Sequence, residues 1–417
     1  MSQSRWIARG LVCGLMLLSV RVGAGQVQVR PMAGQAELGT VEIHGVSAGS
    51  FDPKHWESGR LHILADVRSP LLAPRWAGVF RNIYAPSAVA MPDGWRVFYG
   101  AWDGVPTGND RIYSVFTRDF LDFSDRRTEI EHGDFVHVCN VNALRLPDGG
   151  FRMVCTVYPD AKGLNKPAMF ISPDGTTWNG TPAPHPARAA DRIEMEDWPS
   201  FAEADINGMN VLLFEDGQYR LYFGSFTQPG QVRRASSTDG KRFRYDGTCL
   251  ASHHMVNDIR KFEKDGQVVY LMGLHANNDR LWYTLSQDGM KFSPERELGR
   301  SLGAADQYIV ALGWVTREDR VLGFLYGAGA TPGLDRNRIF ARWLQKKVVF
   351  TDASGKRHEP AGALGPDRQV LRLEGNTGIK GHIEVFDEDG QTPLGPPVAI
   401  KLTPGGVYQL AFQGDVP

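Results

Sequence analysis

Ala85-Pro-Ser-Ala-Val-Ala-Met-Pro-Asp-Gly-Trp-Arg-Val-Phe-Tyr-Gly100 reads as a short apolar strand, an Asp-Gly turn and a second strand rich in aromatic and β-branched residues. A loop and a third strand, Ile112-Tyr-Ser-Val-Phe-Thr117, complete the phrase. The same phrase returns at Asn142–Val154, Asn210–Gly224, Asp258–Gly273 and Tyr308–Gly327. Its turn aspartates, Asp93, Asp148, Asp216, Asp265 and Asp319, fall about one blade-length apart on the scale of four-stranded propeller repeats. A second turn recurs as Ser172-Pro-Asp-Gly-Thr-Thr-Trp178, Ser237-Thr-Asp-Gly-Lys-Arg-Phe243 and Ser286-Gln-Asp-Gly-Met-Lys-Phe292, with Thr117-Arg-Asp-Phe-Leu-Asp-Phe123 as a degenerate version. Asp-Gly supplies the positive φ that a tight hairpin needs, so these pairs read as turns rather than chemistry. The trailing aromatic is expected to plug the space between neighbouring blades.

The chain carries almost no helical periodicity and is rich in Gly, Pro and aromatics, which fits an all-β fold. With 46 Lys and Arg against 47 Asp and Glu, charge gives no case for nucleic acid or an anionic membrane surface. Arg5 and Arg9, the apolar run Gly10–Val20 and the small-residue Val22-Gly-Ala24 predict an export signal over residues 1–24, so the protein is expected to be secreted or periplasmic, with no stable membrane span after cleavage. Cys139, Cys155 and Cys249 then remain, an odd count that leaves at least one thiol outside any intrachain disulfide, and Cys139 and Cys155 flank one hairpin. No Cys or His spacing suits a metal, and no cofactor is indicated, including the structural Ca2+ that a propeller axis can hold.

The expected organisation is a signal (1–24), lead-in strands (25–70), a five-bladed β-propeller (71–350) and a small C-terminal β-sandwich-like unit (351–417), with a Pro-, Ala- and then acid-rich insertion at 181–206. In that register the residues before each first strand and after each second strand surround one mouth. Before the first strands stand Asn82 and Tyr84, His137 and Asn140, Asp205 and Asn207, His254 and Asn257, and Asp306; after the second strands stand Trp102 and Asp103, Tyr158, Phe226, His275 and Asn277. Amides, carboxylates, imidazoles and a tryptophan around one pocket suit a polyhydroxylated ligand, whose hydroxyls need hydrogen-bond partners and whose ring faces need an aromatic. The alternative is that these groups bond one another and buried water along the axis. The substrate-binding residues expected are Asn82, Tyr84, Ser87, Trp102, Asp103, His137, Asn140, Asn142, Asn210, His254, Asn257 and His275.

This register resembles the five-bladed propeller glycoside hydrolases, the furanosidase-type group of families 43 and 32, over residues 71 to about 350. The resemblance implies a carboxylate triad at the tops of the first three first strands: an Asp in an Asp-Pro-Ser motif, a second Asp, and a Glu. Here those places read Ala85-Pro86-Ser87, then Asn140 and Asn142, then Asn207 and Asn210 with Asp205 upstream, so the triad does not carry over. Other acids face the same mouth in this register. Asp258 opposite Glu203 or Asp205, with Asp306 nearby, is the candidate catalytic set, since glycoside hydrolysis takes two carboxyls about 5 Å or roughly 6.5–9.5 Å apart. Three readings stay open: a glycoside hydrolase with a non-standard acid pair, a catalytically silent glycan-binding propeller, and a scaffold for envelope polysaccharide assembly.

Overall fold

The computed structural model describes residues 28–32, 39–47, 49, 51–75, 79–159, 164–333, 336–375 and 379–414. The expected signal segment lies outside them. Five antiparallel meanders follow one another. The first sheet is Val79–Met91, Gly94–Val105, Arg111–Thr117 and Ser124–Glu131. The second is His137–Arg145, Phe151–Tyr158 and Lys166–Ser172, and the third is Asn210–Glu215, Gln218–Phe223, Gln231–Ser237 and Arg242–Ala251. The fourth is Met255–Lys264, Gln267–His275, Arg280–Ser286 and Arg296–Arg300. The fifth is Tyr308–Arg317, Arg320–Gly329 and Arg338–Leu344, with Ile63–Ala65 added as its outer strand from far up the chain. First strands touch in chain order, and the fifth returns to the first, so the sheets stand as a closed ring about one axis, a β-propeller.

Turn chemistry sets the register. Asp216 and Gly217, and Asp265 and Gly266, all take left-handed φ between 49° and 75°, as two-residue hairpin turns require. In the second turn series Ser172, Ser237 and Ser286 accept through Oγ from the amides of Gly175, Gly240 and Gly289, while Asp174, Asp239 and Asp288 each accept two further amides through Oδ1. The trailing aromatics do fill gaps between sheets. Trp178 packs with Phe98 and Ile130 of the first sheet and donates to Glu129, and Phe292 meets Tyr222 of the third sheet edge-on.

Residues 25–70, expected as lead-in strands, divide between two sheets. Gln28–Met32 and Gly39–His44 join Val407–Gln413, Arg368–Arg372 and Gly362–Ala363, the second of them pairing in parallel with Val407–Gln413. Arg357–His358, Lys347–Asp352, Ile379–Phe386 and Val398–Leu402 form the facing sheet. Val41, Leu371, Leu410 and Phe412 of one sheet pack on Val348, Phe350, Ile383 and Ile400 of the other, which makes the C-terminal unit a β-sandwich. The 181–206 insertion is a strap. Its His185–Pro186 adds in parallel to the outer strand of the first sheet, and its Glu194–Glu196 to the outer strand of the third, so these acids lie at a sheet edge. All three described cysteines are buried free thiols, and the strand register sets Cys139 opposite Thr156 rather than Cys155.

Candidate functional site

The inner strands carry their bulges at matching places. Pairing slips between Tyr84 and Ser87, Cys139 and Asn142, Val256 and Asp258, and Val310 and Leu312. A bulge leaves inner-strand amides without a partner in their own sheet. Most of the polar residues expected at the mouth bond groups one sheet over, chiefly inner-strand amides. Ser87 accepts from Ala143 N at 3.0 Å, Asn142 from Leu212 N at 2.9 Å, and Asn257 from Leu312 N at 3.2 Å. Asn82 accepts from Asn337 N at 3.1 Å, and Asn210 donates to Thr156 Oγ1 at 2.9 Å. All five are buried. They are struts between neighbouring sheets, and none of them lines the mouth.

The expected acids are likewise engaged. Asp258 is fully buried: Oδ1 accepts from Asn142 and Ile259 N, and Oδ2 from Trp314 N at 2.8 Å and Arg260 Nη2 at 3.0 Å. Burial raises its pKa, against the pull of Arg260 and these donors. Asp306 is buried on Arg342, Tyr326 and the amides of Leu302 and Gly303. Asp205 accepts both the backbone and side-chain amides of Asn165, and Glu203 is solvent-exposed. Asp103 is buried between Arg75 and Arg126. None of Asp258, Glu203, Asp205 and Asp306 is among the described residues that line the cleft at the mouth.

What opens at the mouth is a cleft to which all five sheets contribute. Tyr84 comes from the first sheet, Asn140 and Tyr158 from the second, and Val310 with Ala311 from the fifth. Asn207 and Phe226 flank the third sheet's strands, and Met255, His275 and Asn277 belong to the fourth sheet and the turn that follows its second strand. Ala311 and Asn140 sit at left-handed φ of 59° and 55° on their bulges, which turns these residues toward the opening. Among the described residues no Asp, Glu, Lys or Arg lines it. Tyr158 donates to Asn207 Oδ1, and burial pushes the Tyr84 and Tyr158 phenols well above their ordinary range, so both remain protonated donors. Phe226 is 50% exposed, and its backbone is held by Asp205 O at 2.8 Å.

A hydrogen-bond chain fixes His275. Leu312 N donates to Asn257 Oδ1, which leaves Asn257 Nδ2 to donate to His275 Nδ1 at 2.7 Å. His275 Nε2 then carries the proton and donates to Asn277 Oδ1 at 2.9 Å. Burial lowers the His275 pKa to about 4, so the imidazole is neutral at neutral pH. The neutral form is the one the fold favours, so this stabilisation is complete above about pH 6.5 and fades as pH falls toward 4, an effect of about 2–3 kcal/mol. His275→Gln should flatten the difference in unfolding free energy between pH 7 and pH 4.5; an unchanged difference would place His275 in water.

Two tryptophan–histidine stacks adjoin the cleft. Trp102 lies against His137 with centroids 5.8 Å apart and rings 6° from parallel, and His137 meets Tyr158 edge-on. His137 Nδ1 is 3.2 Å from Asp110 Oδ2 and 3.0 Å from Asp110 N. On the fourth sheet His254 stacks on Trp282 at 3.8 Å, and its Nδ1 is 2.6 Å from Glu295 Oε2. Asp110, Trp282 and Glu295 are functional candidates that sequence reasoning missed. Asp110 ends the loop after a second strand, a position already read as part of the mouth. Trp282 and Glu295 lie on and beyond a third strand and gave no such signal.

Elsewhere, an open groove of about 710 Å³ runs beside the fourth sheet between Glu57 and Lys291; it is a surface crease of mixed charge, far from the converging strands. One described trio, His55, Asp387 and Glu388, brings possible ligand atoms within 4.8 Å. Lys346 Nζ already bonds both carboxylates, so an ammonium supplies the positive charge there.

No protein-family model and no curated protein sequence matches this chain. Solved structures do. A protein of Bacteroides thetaiotaomicron with a provisional glycosidase name superposes with a TM-score of 0.50 at 14% identity, covering 71% of this chain and 99% of its own. A glycosyl hydrolase from Bacteroides ovatus gives 0.49 at 12% identity over 71% and 96%, and a Bombyx mori GH32 β-fructofuranosidase gives 0.45 at 10% identity over 85% and 89%. Among the described residues no helix is long and apolar enough to cross a membrane. The likeness is one of fold.

Proposed function

We propose that this is an exported propeller whose mouth binds carbohydrate. The observation that carries the reading is the cleft itself: neutral amides and protonated phenols with a half-exposed, backbone-anchored Phe226, and no charged side chain among the described lining residues. Fixed donors and acceptors beside an aromatic face are what sugar hydroxyls and ring faces call for. The glycosidase name of the Bacteroides thetaiotaomicron protein of similar fold points the same way. Export rests on the charged and apolar pattern of residues 1–24.

A second reading, hydrolysis, is favoured by one observation. Asp110 Oδ1 is sealed from solvent without a hydrogen-bond partner among the described residues, Oδ2 lies 3.2 Å from His137 Nδ1, and the Asp110 amide donates to that nitrogen beside the cleft wall. Asp110 and His137 would then replace the acid pair expected around Asp258. A glycan array followed by calorimetry tests the binding reading, with Trp102→Ala expected to weaken the best ligand by about 1–3 kcal/mol. Retention of no glycan would sink it. Reducing sugar released from a bound glycan by wild type, and not by Asp110→Asn, would decide for the enzyme.

A further inference from the structure

The two tryptophan–histidine stacks are built alike. In each, a ring face of the imidazole is covered by indole and Nδ1 is engaged, by the Asp110 backbone N–H in one and by the Glu295 carboxylate in the other. Each histidine stays partly open, 26% for His137 and 22% for His254, and the bonds described for both rings are made through Nδ1. An imidazole pinned at Nδ1 and clamped on one face loses little freedom when Nε2 meets a ligand, which lowers the cost of contact.

Their placement is opposed. His137 begins the second sheet and stacks on a first-sheet tryptophan, whereas His254 and Trp282 belong to the fourth. In a ring of five sheets, the seam between the first and second faces the fourth across the axis. The cleft lies between them: Tyr158 of its wall touches His137, and Met255 of its wall directly follows His254 and pairs with His275.

We propose that the mouth takes an oligosaccharide laid across it, with the central unit in the cleft and a flanking unit against His137 on one side and His254 on the other. This rests on the carbohydrate-binding reading. A single sugar filling the cleft would use neither histidine. The geometry therefore assigns chain length, rather than one monosaccharide, as the property the mouth recognises.

The experiment is a length ladder. Wild-type protein is titrated calorimetrically with mono- to pentasaccharides of whichever homopolymer series a glycan array retains. Affinity should rise at least 10-fold between the monosaccharide and the tri- or tetrasaccharide, then level off. His254→Ala and His137→Ala should each remove about half of that rise, read within each variant as the ratio of tetrasaccharide to monosaccharide affinity. Where an alanine variant unfolds early, His254→Gln and His137→Gln keep the packing and should give a partial loss. Equal affinity for all lengths, or a full rise in both variants, would overturn the proposal and leave carbohydrate binding standing. Retention of no glycan by wild type would overturn the binding reading itself, and this inference with it.

Discussion

Asp258→Ala should cost the fold about 3–5 kcal/mol, the range found when one partner of a buried ion pair is removed. The carboxylate takes four donors from three sheets: the side chain of Asn142, the amides of Ile259 and Trp314, and the guanidinium of Arg260. Alanine would leave the largely buried Arg260 charge without its counter-ion and two inner-strand amides without acceptors. Asp258→Asn should be milder and still clearly destabilising, because an amide offers one acceptor oxygen and no charge. Urea unfolding followed by tryptophan fluorescence measures both. A wild-type midpoint in Asp258→Asn, together with lost ligand binding, would return Asp258 to the mouth as a functional acid.

That outcome turns on a distinction the sequence could not make. The ring was legible because each repeat spells out its turns, and Asp216-Gly217 and Asp265-Gly266 adopt the left-handed geometry that their chemistry predicts. The aromatics that trail the second turns were equally readable, since a large apolar residue after a tight turn has nowhere to go but between sheets. The start of each inner strand was harder. Ser87, Asn142, Asn257 and Asp258 are polar there because each accepts from an inner-strand amide of a neighbouring sheet, and a polar residue that serves an amide looks in sequence like one that serves a sugar. The bulges themselves left no mark: Ala85 and Ala311 hold left-handed φ of 50° and 59° without a glycine to announce it. The residues that do line the cleft, such as Asn140, Tyr158, Phe226 and His275, come mainly from the bulge tips and the ends of second strands. Glu295 and Trp282 were invisible because their role depends on His254 packing across a sheet, a contact no local pattern encodes.

The other large effect is expected at Asp66, where long-range pairing again hid the role. Residues 63–65 close the fifth sheet by pairing with Arg338–Leu344, a match between segments nearly three hundred residues apart. Asp66 locks the closure. Its Oδ2 accepts from the indole of Trp343 at 2.9 Å and from Gly365 N at 2.9 Å, while Arg68 grips both oxygens. One carboxylate thus ties the N-terminal strand, the fifth sheet and the start of the sandwich together. Burial alone would raise its pKa, but Arg68, the Gly365 amide and the Trp343 indole outweigh burial and lower it. A lowered carboxyl pKa contributes stability that is present above the unfolded value near 4 and is lost as pH falls below it. Asp66→Ala should cost about 3–5 kcal/mol at pH 7, since a buried indole N–H and a buried amide lose their acceptor and Arg68 loses its pair. The loss should shrink below pH 4, where the wild-type carboxyl is itself protonated. Limited proteolysis adds a local readout: if Asp66 is the lock, the variant should be cut between the helix Pro53–Ser58 and the first sheet while the inner strands stay protected. Unfolding free energies that match wild type at pH 7 would mean that the ring is closed by the strand pairing alone.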